Sequence, residues 1–328
     1  MRAGIDVSPL AQTRAGTARY LRGLLPELDR QPDLELVRLA FGGGGKAATI
    51  ARDAVWYPLG LPRRSRAARL ELLHCPTFRA PLRSTIPAVV TVHDVAVLRF
   101  PEVFNRWTRA YSRLAVPRAV GAADAVIAVS EFTKNELIEL LAIPPDRIRV
   151  IPNAPDETFT PEGAAAAGEY LLAVGTLEPR KNLPALVEAA QRSRLELRVV
   201  GRRGWGNVEL NGDGVRWLGE VPDTELATLY RGALCVAYTS LYEGFGLPVL
   251  EAMACGTPVV TSAGSAMEEV AGPAAVLVDP RDPEAIAAGI GQALRRREEL
   301  AQLGLERARG FSWAKVAAET ASVYRELG

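Results

Sequence analysis

Short apolar runs alternate with helix-length segments along this chain, and the alternation stops once and then resumes. In the first half, Arg2–Val7, Leu34–Phe41, Leu72–Cys75, Ala88–Val92, Ala125–Val129 and Arg147–Ile151 read as strands. Thr17–Asp29, Asn105–Gly121 and Glu131–Leu141 read as helices, the last with Ser130 as its cap. Apolar runs unbroken by polar residues are buried on both faces, the habit of a parallel sheet covered by helices. The pattern breaks at Ile151-Pro152-Asn153-Ala154-Pro155 and at Thr160-Pro161-Glu162-Gly163, which read as a linker. Strands then return at Tyr170–Val174, Leu195–Val200, Val215–Trp217, Cys235–Tyr238, Val259–Thr261 and Ala275–Val278. Helices are expected at Leu183–Arg194, Asp223–Gly232, Pro248–Cys255 and Asp282–Leu303, and Ser312 caps a final one ending at Leu327. A chain of 328 residues is long enough for two cores. The expected fold class is α/β: two Rossmann-like domains, residues 1–155 and 156–311, facing across a cleft at the carboxyl ends of their strands.

Charge narrows the partners. The net charge of +1 argues against a nucleic-acid binder. It hides an asymmetry: residues 1–155 hold 22 Lys and Arg against 14 Asp and Glu, a net of +8, which leaves −7 for the rest. The basic residues are densest at Arg63, Arg64, Arg66 and Arg69, and at Arg99, Arg106, Arg109, Arg113 and Arg118. Such a face docks on an anionic leaflet, binds an acidic acceptor, or is simply solvated. Cys75, Cys235 and Cys255 form no metal or disulfide pattern and suit a reducing compartment. No apolar run reaches the roughly 20 residues of a membrane span. Asp6 interrupts what a signal peptide would need, so the expected location is cytoplasmic, with at most peripheral contact at the inner face of the membrane.

The densest motif runs from Tyr242 to Pro258. Gly244 and Gly246 flank Phe245 and let a ligand approach the backbone. Leu247 and Pro248 then open a helix whose first amides and dipole favour an anion. Glu243 in the loop and Glu251 one turn into the helix can reach one ligand from two directions. A carboxylate suits vicinal sugar hydroxyls because it accepts two hydrogen bonds from them. A Gly-rich turn with an ordinary helix-start Glu is the plainer alternative. Arg180 and Lys181 follow the strand end Val174-Gly175-Thr176, where paired cations can stabilise a departing diphosphate, or lie solvated. His93, with Asp94 beside it, ends a continuous apolar strand; it can bond a sugar hydroxyl, support charge, or be structural. His74 is read as structural. Gly16-Thr17 precedes a helix and is either a cap or a phosphate-facing turn. Gly42–Gly45 reads as a flexible loop. No Asp-x-Asp pattern places a metal, so metal-independent chemistry is expected, with no cofactor.

These residues carry a resemblance. Glu243 to Glu251, within Glu-Gly-Phe-Gly-Leu-Pro-Val-Leu-Glu-Ala-Met-Ala-Cys-Gly-Thr-Pro-Val-Val, closely resembles the donor motif of family 4 of the retaining glycosyltransferases, which have the GT-B fold. Gly16-Thr17-Ala18-Arg19-Tyr20, Val92-His93-Asp94, Val129-Ser130-Glu131-Phe132, Pro152-Asn153 and Gly175-Thr176-Leu177-Glu178-Pro179-Arg180-Lys181-Asn182 extend it over the whole chain. The variants look most like the mannosyltransferase-type branch. The resemblance implies that Glu243 contacts the transferred sugar, helped by the amides of Gly244, Phe245 and Gly246. It implies that Glu251 holds the ribose, that Arg180 and Lys181 neutralise the diphosphate, and that His93 lies near the donor sugar. Thr176 departs from the pattern, since many members carry a basic residue there. It further implies that residues 312–328 cross back onto the first domain, with acceptor binding in the first domain and donor binding in the second. The expected activity is retaining transfer of a hexose, mannose favoured, from a nucleotide-diphosphate sugar, GDP-mannose over UDP-sugars, to a glycan, lipid-linked or small-molecule hydroxyl. A nucleotide-sugar epimerase and a catalytically silent nucleotide-sugar-binding partner are the alternatives.

Overall fold

The computed structural model describes residues 1–11, 16–43, 45–104, 106–206 and 208–328. The chain divides into two compact units, Met1–Asn153 with Ser312–Gly328, and Ala154–Phe311. Among the described residues, twelve strands form two six-stranded sheets, and every pairing is parallel.

In the first unit β1 (Arg2–Asp6), β2 (Glu35–Leu39), β3 (Leu72–Cys75), β4 (Ala88–Val92), β5 (Ala125–Ala128) and β6 (Ile148–Val150) lie in the order β2-β1-β3-β4-β5-β6. Every residue of β3, β4 and β5 is buried. That is why these strands are continuous apolar runs without alternation. Ser130 caps the Glu131–Leu141 helix by accepting a hydrogen bond from the Thr133 amide at 3.0 Å. The terminal helix Trp313–Leu327 packs on the Gly16–Asp29 helix, where a Cβ at Gly23 would come within 2.1 Å of the Trp313 ring. It is also pinned by polar contacts: Tyr324 OH lies 2.6 Å from His74 Nδ1, and Arg149 meets Glu326 at 2.8 Å. His74 Nε2 lies 2.8 Å from the Thr91 hydroxyl, so both ring nitrogens are partnered. Burial pushes His74 down to about 3, with His93 adding to it, and the ring is uncharged. Its role is structural, as its sequence setting suggests.

In the second unit β7 (Tyr170–Val174), β8 (Glu196–Val200), β9 (Val215–Gly219), β10 (Cys235–Tyr238), β11 (Val259–Ser262) and β12 (Ala275–Val278) lie in the order β12-β11-β10-β7-β8-β9. Leu171, Leu197, Val199, Val260, Ile286 and Ile290 belong to its core. The central strands β7 and β10 pair with Leu171 opposite Cys235, which brings the loops that follow them side by side.

Three differences from the sequence reading stand out. The expected helix Asp282–Leu303 is two helices, Pro283–Arg295 and Arg297–Ala308, because Arg296 leaves helical geometry at φ −104° and ψ 24°. The break lets Ile286, Ile290 and Ala293 bury one face and Leu300, Gly304 and Ala308 another. The Gly42–Gly45 loop is shorter than expected, since Gly45 already begins the helix Gly45–Ala51; Gly44 lies outside the described residues. That helix runs into a π-helix, Arg52–Gly60, and then into the helix Leu61–Ala67, none of which the sequence reading anticipated. The expected helix start at Asn105 lies outside the described residues, and the helix is described over Arg106–Ala122. All three cysteines are buried and unbridged. Among the described residues no helix is long and apolar enough to cross a membrane.

Candidate active site

Two loops of the second unit build the densest charged cluster of the expected residues. Strand β7 is followed by Gly175, whose φ of +155° favours glycine, and a Cβ there would press on the Lys181 side chain at 3.2 Å. A single helical turn, Pro179–Lys181, follows and is closed by Asn182 in the left-handed region at φ +57°. The Asn182 side-chain amide donates to the carbonyls of Thr239 (3.2 Å) and Pro280 (2.5 Å). The Leu241 amide donates to the Arg180 carbonyl at 2.9 Å. These bonds stitch the loop after β7 to the loops after β10 and β12, and so hold Arg180 and Lys181 against Glu243.

Lys181 Nζ donates to Glu243 Oε1 at 2.5 Å and to Tyr238 OH at 2.7 Å, and lies 5.0 Å from the centre of the Tyr238 ring. Arg180 Nη1 reaches Glu243 Oε2 at 3.4 Å, while its Nε and Nη2 hold Glu178 Oε1 at 3.0 and 2.9 Å. Burial works to raise the Glu243 carboxyl. Arg180 and Lys181, with hydrogen bonds from Lys181 and Tyr238, outweigh it and hold the group down at about 2. Burial likewise opposes the Lys181 charge, yet the Glu243 carboxylate keeps its pKa above the usual lysine range. Burial, reinforced by Glu243, pushes the Tyr238 phenol up to about 12, so it keeps its proton. At neutral pH Glu243 is therefore an ionised acceptor. It cannot serve as a proton donor, but it can take hydrogen bonds from hydroxyls.

The Gly-rich segment follows. Gly246 has φ +105°, and a Cβ on it would meet Met267 at 2.8 Å, so glycine is required there on both counts. It caps the helix Leu247–Ala254, with Pro248 in the first turn. The leading amides of a helix have no partner within it and point outward with the positive end of the dipole. Phe245 is buried edge-on against Phe311, with ring centres 6.3 Å apart, and anchors the turn between Gly244 and Gly246. Glu251 is buried within this helix and accepts from Tyr230 OH at 3.1 Å. The buried hydroxyls of Thr239 and Ser240, between β10 and Glu243, have no hydrogen-bond partner among the described residues.

Thr176 is half-buried, and beside it Leu177 forms an isolated parallel bridge with Arg203. The Leu177 amide also donates to the Arg202 carbonyl at 3.0 Å. Two exposed arginines thus follow β8 alongside the position that lacks a basic residue. Sequence reasoning passed over them, and over Tyr238, Tyr230 and Glu178. An aromatic at the end of a buried strand or on a helix face reads as core, and only its hydroxyl contacts reveal more.

His93 and Gly16 belong to the first unit. His93 follows β4; its Nε2 donates to the Pro76 carbonyl at 3.1 Å, and its ring meets Tyr20 edge-on at 4.9 Å. Burial pushes His93 down to about 4, although Asp94 and the Pro76 carbonyl pull the other way. The neutral ring with its proton on Nε2 leaves Nδ1 as an acceptor, so it can bond a hydroxyl but brings no positive charge. Gly16 is exposed and is the first residue of the Gly16–Asp29 helix, with open space where a Cβ would stand. Residues 12–15, just before it, lie outside the described residues. Among the described residues no group of three or more His, Cys, Asp and Glu could hold a metal ion.

Comparison with known proteins completes the picture. The family model for glycosyl transferases group 1 matches residues 156–309, and that for glycosyltransferase family 4 matches residues 2–159. The O-antigen chain mannosyltransferase B of Escherichia coli is 36% identical over 83% of this chain and 79% of its own length. The MMP alpha-(1->4)-mannosyltransferase of Mycolicibacterium hassiacum is 31% identical over 73% of this chain and 65% of its own length. Among solved structures, a sucrose-phosphate synthase from Thermosynechococcus elongatus superposes with a TM-score of 0.78 at 21% identity, covering 99% of this chain and 98% of the other. HepE of Anabaena, in complex with UDP-glucose, superposes with a TM-score of 0.75 at 20% identity over the full length of both chains. Two parallel α/β sheets, two matching family models and relatives of this identity agree: the chain belongs to glycosyltransferase family 4 and is a glycosyltransferase that uses a nucleotide sugar.

Proposed function

We propose that this glycosyltransferase moves mannose from GDP-mannose, with retention at the anomeric carbon, to a hydroxyl on a glycan, lipid-linked or small-molecule acceptor. Two relatives above 30% identity are named as mannosyltransferases, which supports the sugar. The observation that carries the chemistry is the Glu243 carboxylate held ionised between Lys181 and Arg180. The second unit holds the donor and the first the acceptor. Arg180 and Lys181 turn from Glu243 toward the diphosphate as its charge grows. Glu243 accepts hydrogen bonds from hydroxyls of the mannose, the leading amides around Gly244–Leu247 add donors, and Glu251 takes the ribose hydroxyls. Gly175 and Thr176 leave room for the phosphates, and the helix start at Gly16 offers free amides for an anionic or hydroxyl ligand. His93 accepts a hydroxyl hydrogen bond through Nδ1.

Transfer follows a same-face route. The bond from the anomeric carbon to the phosphate oxygen breaks, the bond to the acceptor oxygen forms, and the leaving phosphate takes the acceptor proton. Because two protein cations offset the leaving charge, the reaction is metal-independent. A thermal-shift screen tests the donor, since a ligand that binds only the folded protein raises its melting temperature. GDP-mannose should give the largest rise, and a larger rise with a UDP-sugar would overturn that assignment. GDP release should continue undiminished in excess chelator. The basic first unit is further suited to peripheral contact with an anionic membrane carrying a lipid-linked acceptor.

A further inference from the structure

Residues 45–67 of the first unit carry an apolar stripe that the fold turns outward. The Arg52–Gly60 stretch is π-helical, and the Leu61 amide bonds the Trp56 carbonyl five residues back. Its buried side is Arg52, Asp53, Trp56 and Tyr57, continued by Leu61. That side packs into the first unit. Tyr57 OH donates to Asp6 at 3.0 Å, Arg52 and Arg79 each reach Asp53 at 3.2 Å, and Trp56 lies against Phe41. Ile50, Val55 and Leu59 are left 47%, 54% and 49% exposed. Arg52 and Leu61 are nine residues apart, as are Ile50 and Leu59. At 3.6 residues per turn such a spacing spans two and a half turns and puts the pair on opposite sides. With bonds five residues back, roughly 4.4 residues per turn, it spans about two turns and puts them on one side. The π-helix thus gathers one set inward and the other into a solvent-facing row.

The row does not end at Leu59. Arg63 and Arg64 follow four and five residues later, with Arg66 and Arg69 beyond, and all four are exposed. The only acid between residues 45 and 70 is Asp53, which is buried and paired. An exposed apolar row that leads into exposed arginines without exposed acids matches the boundary of an anionic bilayer, acyl chains beneath phosphate headgroups.

We propose that the outward face of residues 45–67 is the surface by which this chain docks on an anionic lipid bilayer, Ile50, Val55 and Leu59 entering the headgroup boundary and Arg63, Arg64 and Arg66 lying on the phosphates. It deepens the membrane contact proposed above and rests on that reading only for its purpose, delivery of a lipid-linked acceptor. The test is co-sedimentation of the full chain with vesicles of phosphatidylcholine alone and of phosphatidylcholine with phosphatidylglycerol, in low and high salt. Binding should need the anionic lipid and weaken with salt. V55E/L59E should lower it at least about tenfold, and R63E/R64E should remove its dependence on anionic lipid. An unchanged melting temperature and unchanged GDP release with a soluble acceptor would show that both variants remain folded. Equal binding by wild type and V55E/L59E, or no binding at all, overturns the docking surface whether or not the chain transfers mannose. Self-association of the wild type that V55E/L59E abolishes, without vesicle binding, would assign the stripe to a second copy and overturn it as well.

Discussion

The two units place polar side chains at the carboxyl ends of central strands, and handle them in opposite ways. In the second unit three charged groups, buried Glu243 and half-buried Lys181 and Arg180, cluster and stay charged because each answers another. In the first unit His74 and His93 stand at or just after strand ends as uncharged rings, held by hydroxyls and a carbonyl. Burial opposes charge in both places. Where opposite charges meet within hydrogen-bonding distance they overcome it; at His74 and His93 the hydrogen-bond partners are neutral, and burial outweighs even the pull of Asp94 on His93. One unit thus keeps a mutually paired set of charges, and the other keeps its imidazoles neutral.

That contrast can be broken by mutation. Glu243→Ala should cut kcat/KM by about a thousandfold or more, since it removes the proposed sugar contact and the carboxylate that positions both cations. Release of the donor's nucleotide near the wild-type rate would remove Glu243 from the site. Lys181→Ala should cost about a hundredfold, with the deficit in kcat if the lysine acts on the departing diphosphate, and in KM alone if it only holds the donor.

Acid should strike the first unit before the second. Burial depresses both imidazoles from the ordinary 6.5, so between that value and about 3 to 4 the unfolded chain binds protons that the folded unit does not. Their contribution is fully present above pH 6.5 and is lost as pH falls through that window. For the buried His74 the loss amounts to about 2 kcal/mol at pH 5. The second unit contains no histidine, and its Glu243 stays ionised down to about pH 2. Hydrogen exchange at pH 7 and pH 5 should show protection falling first around β3 and β4; a fall led by the strands of the second unit would contradict the contrast. The smallest effect is expected from Tyr238→Phe, which removes one hydroxyl from the Lys181–Glu243 pair and should cost about tenfold in kcat. The loss should be accompanied by a rise of the Glu243 pKa, visible in the carboxyl carbon resonance.

Much of this was legible in the sequence, for physical reasons. Strands buried on both faces announce themselves as apolar runs, as in Ala88–Val92 and Tyr170–Val174, and the glycines and Pro248 around Glu243 mark an unusual turn. The π-helix was not legible, because its repeat matches neither the helical nor the strand period and Pro58 and Gly60 argue against a helix there. Nor was the break at Arg296, which lies in a run of good helix formers and answers to packing alone. Within the candidate site, Arg180, Lys181 and Glu243 could be named from residue type and spacing. The hydroxyls of Tyr238 and Tyr230 could not, since nothing in a buried aromatic says which charge it will meet.

The terminal helix has a consequence for how the chain is made. Residues that complete the first unit, among them Tyr324 against His74 and Trp313 against Gly23, are synthesised only after all of Ala154–Phe311. At ~5–20 residues per second, the nascent first unit waits roughly 8–30 s with the seat of that helix uncovered. During that interval it presents an apolar groove to the ribosome exit and to chaperones, while the second unit is free to fold on its own.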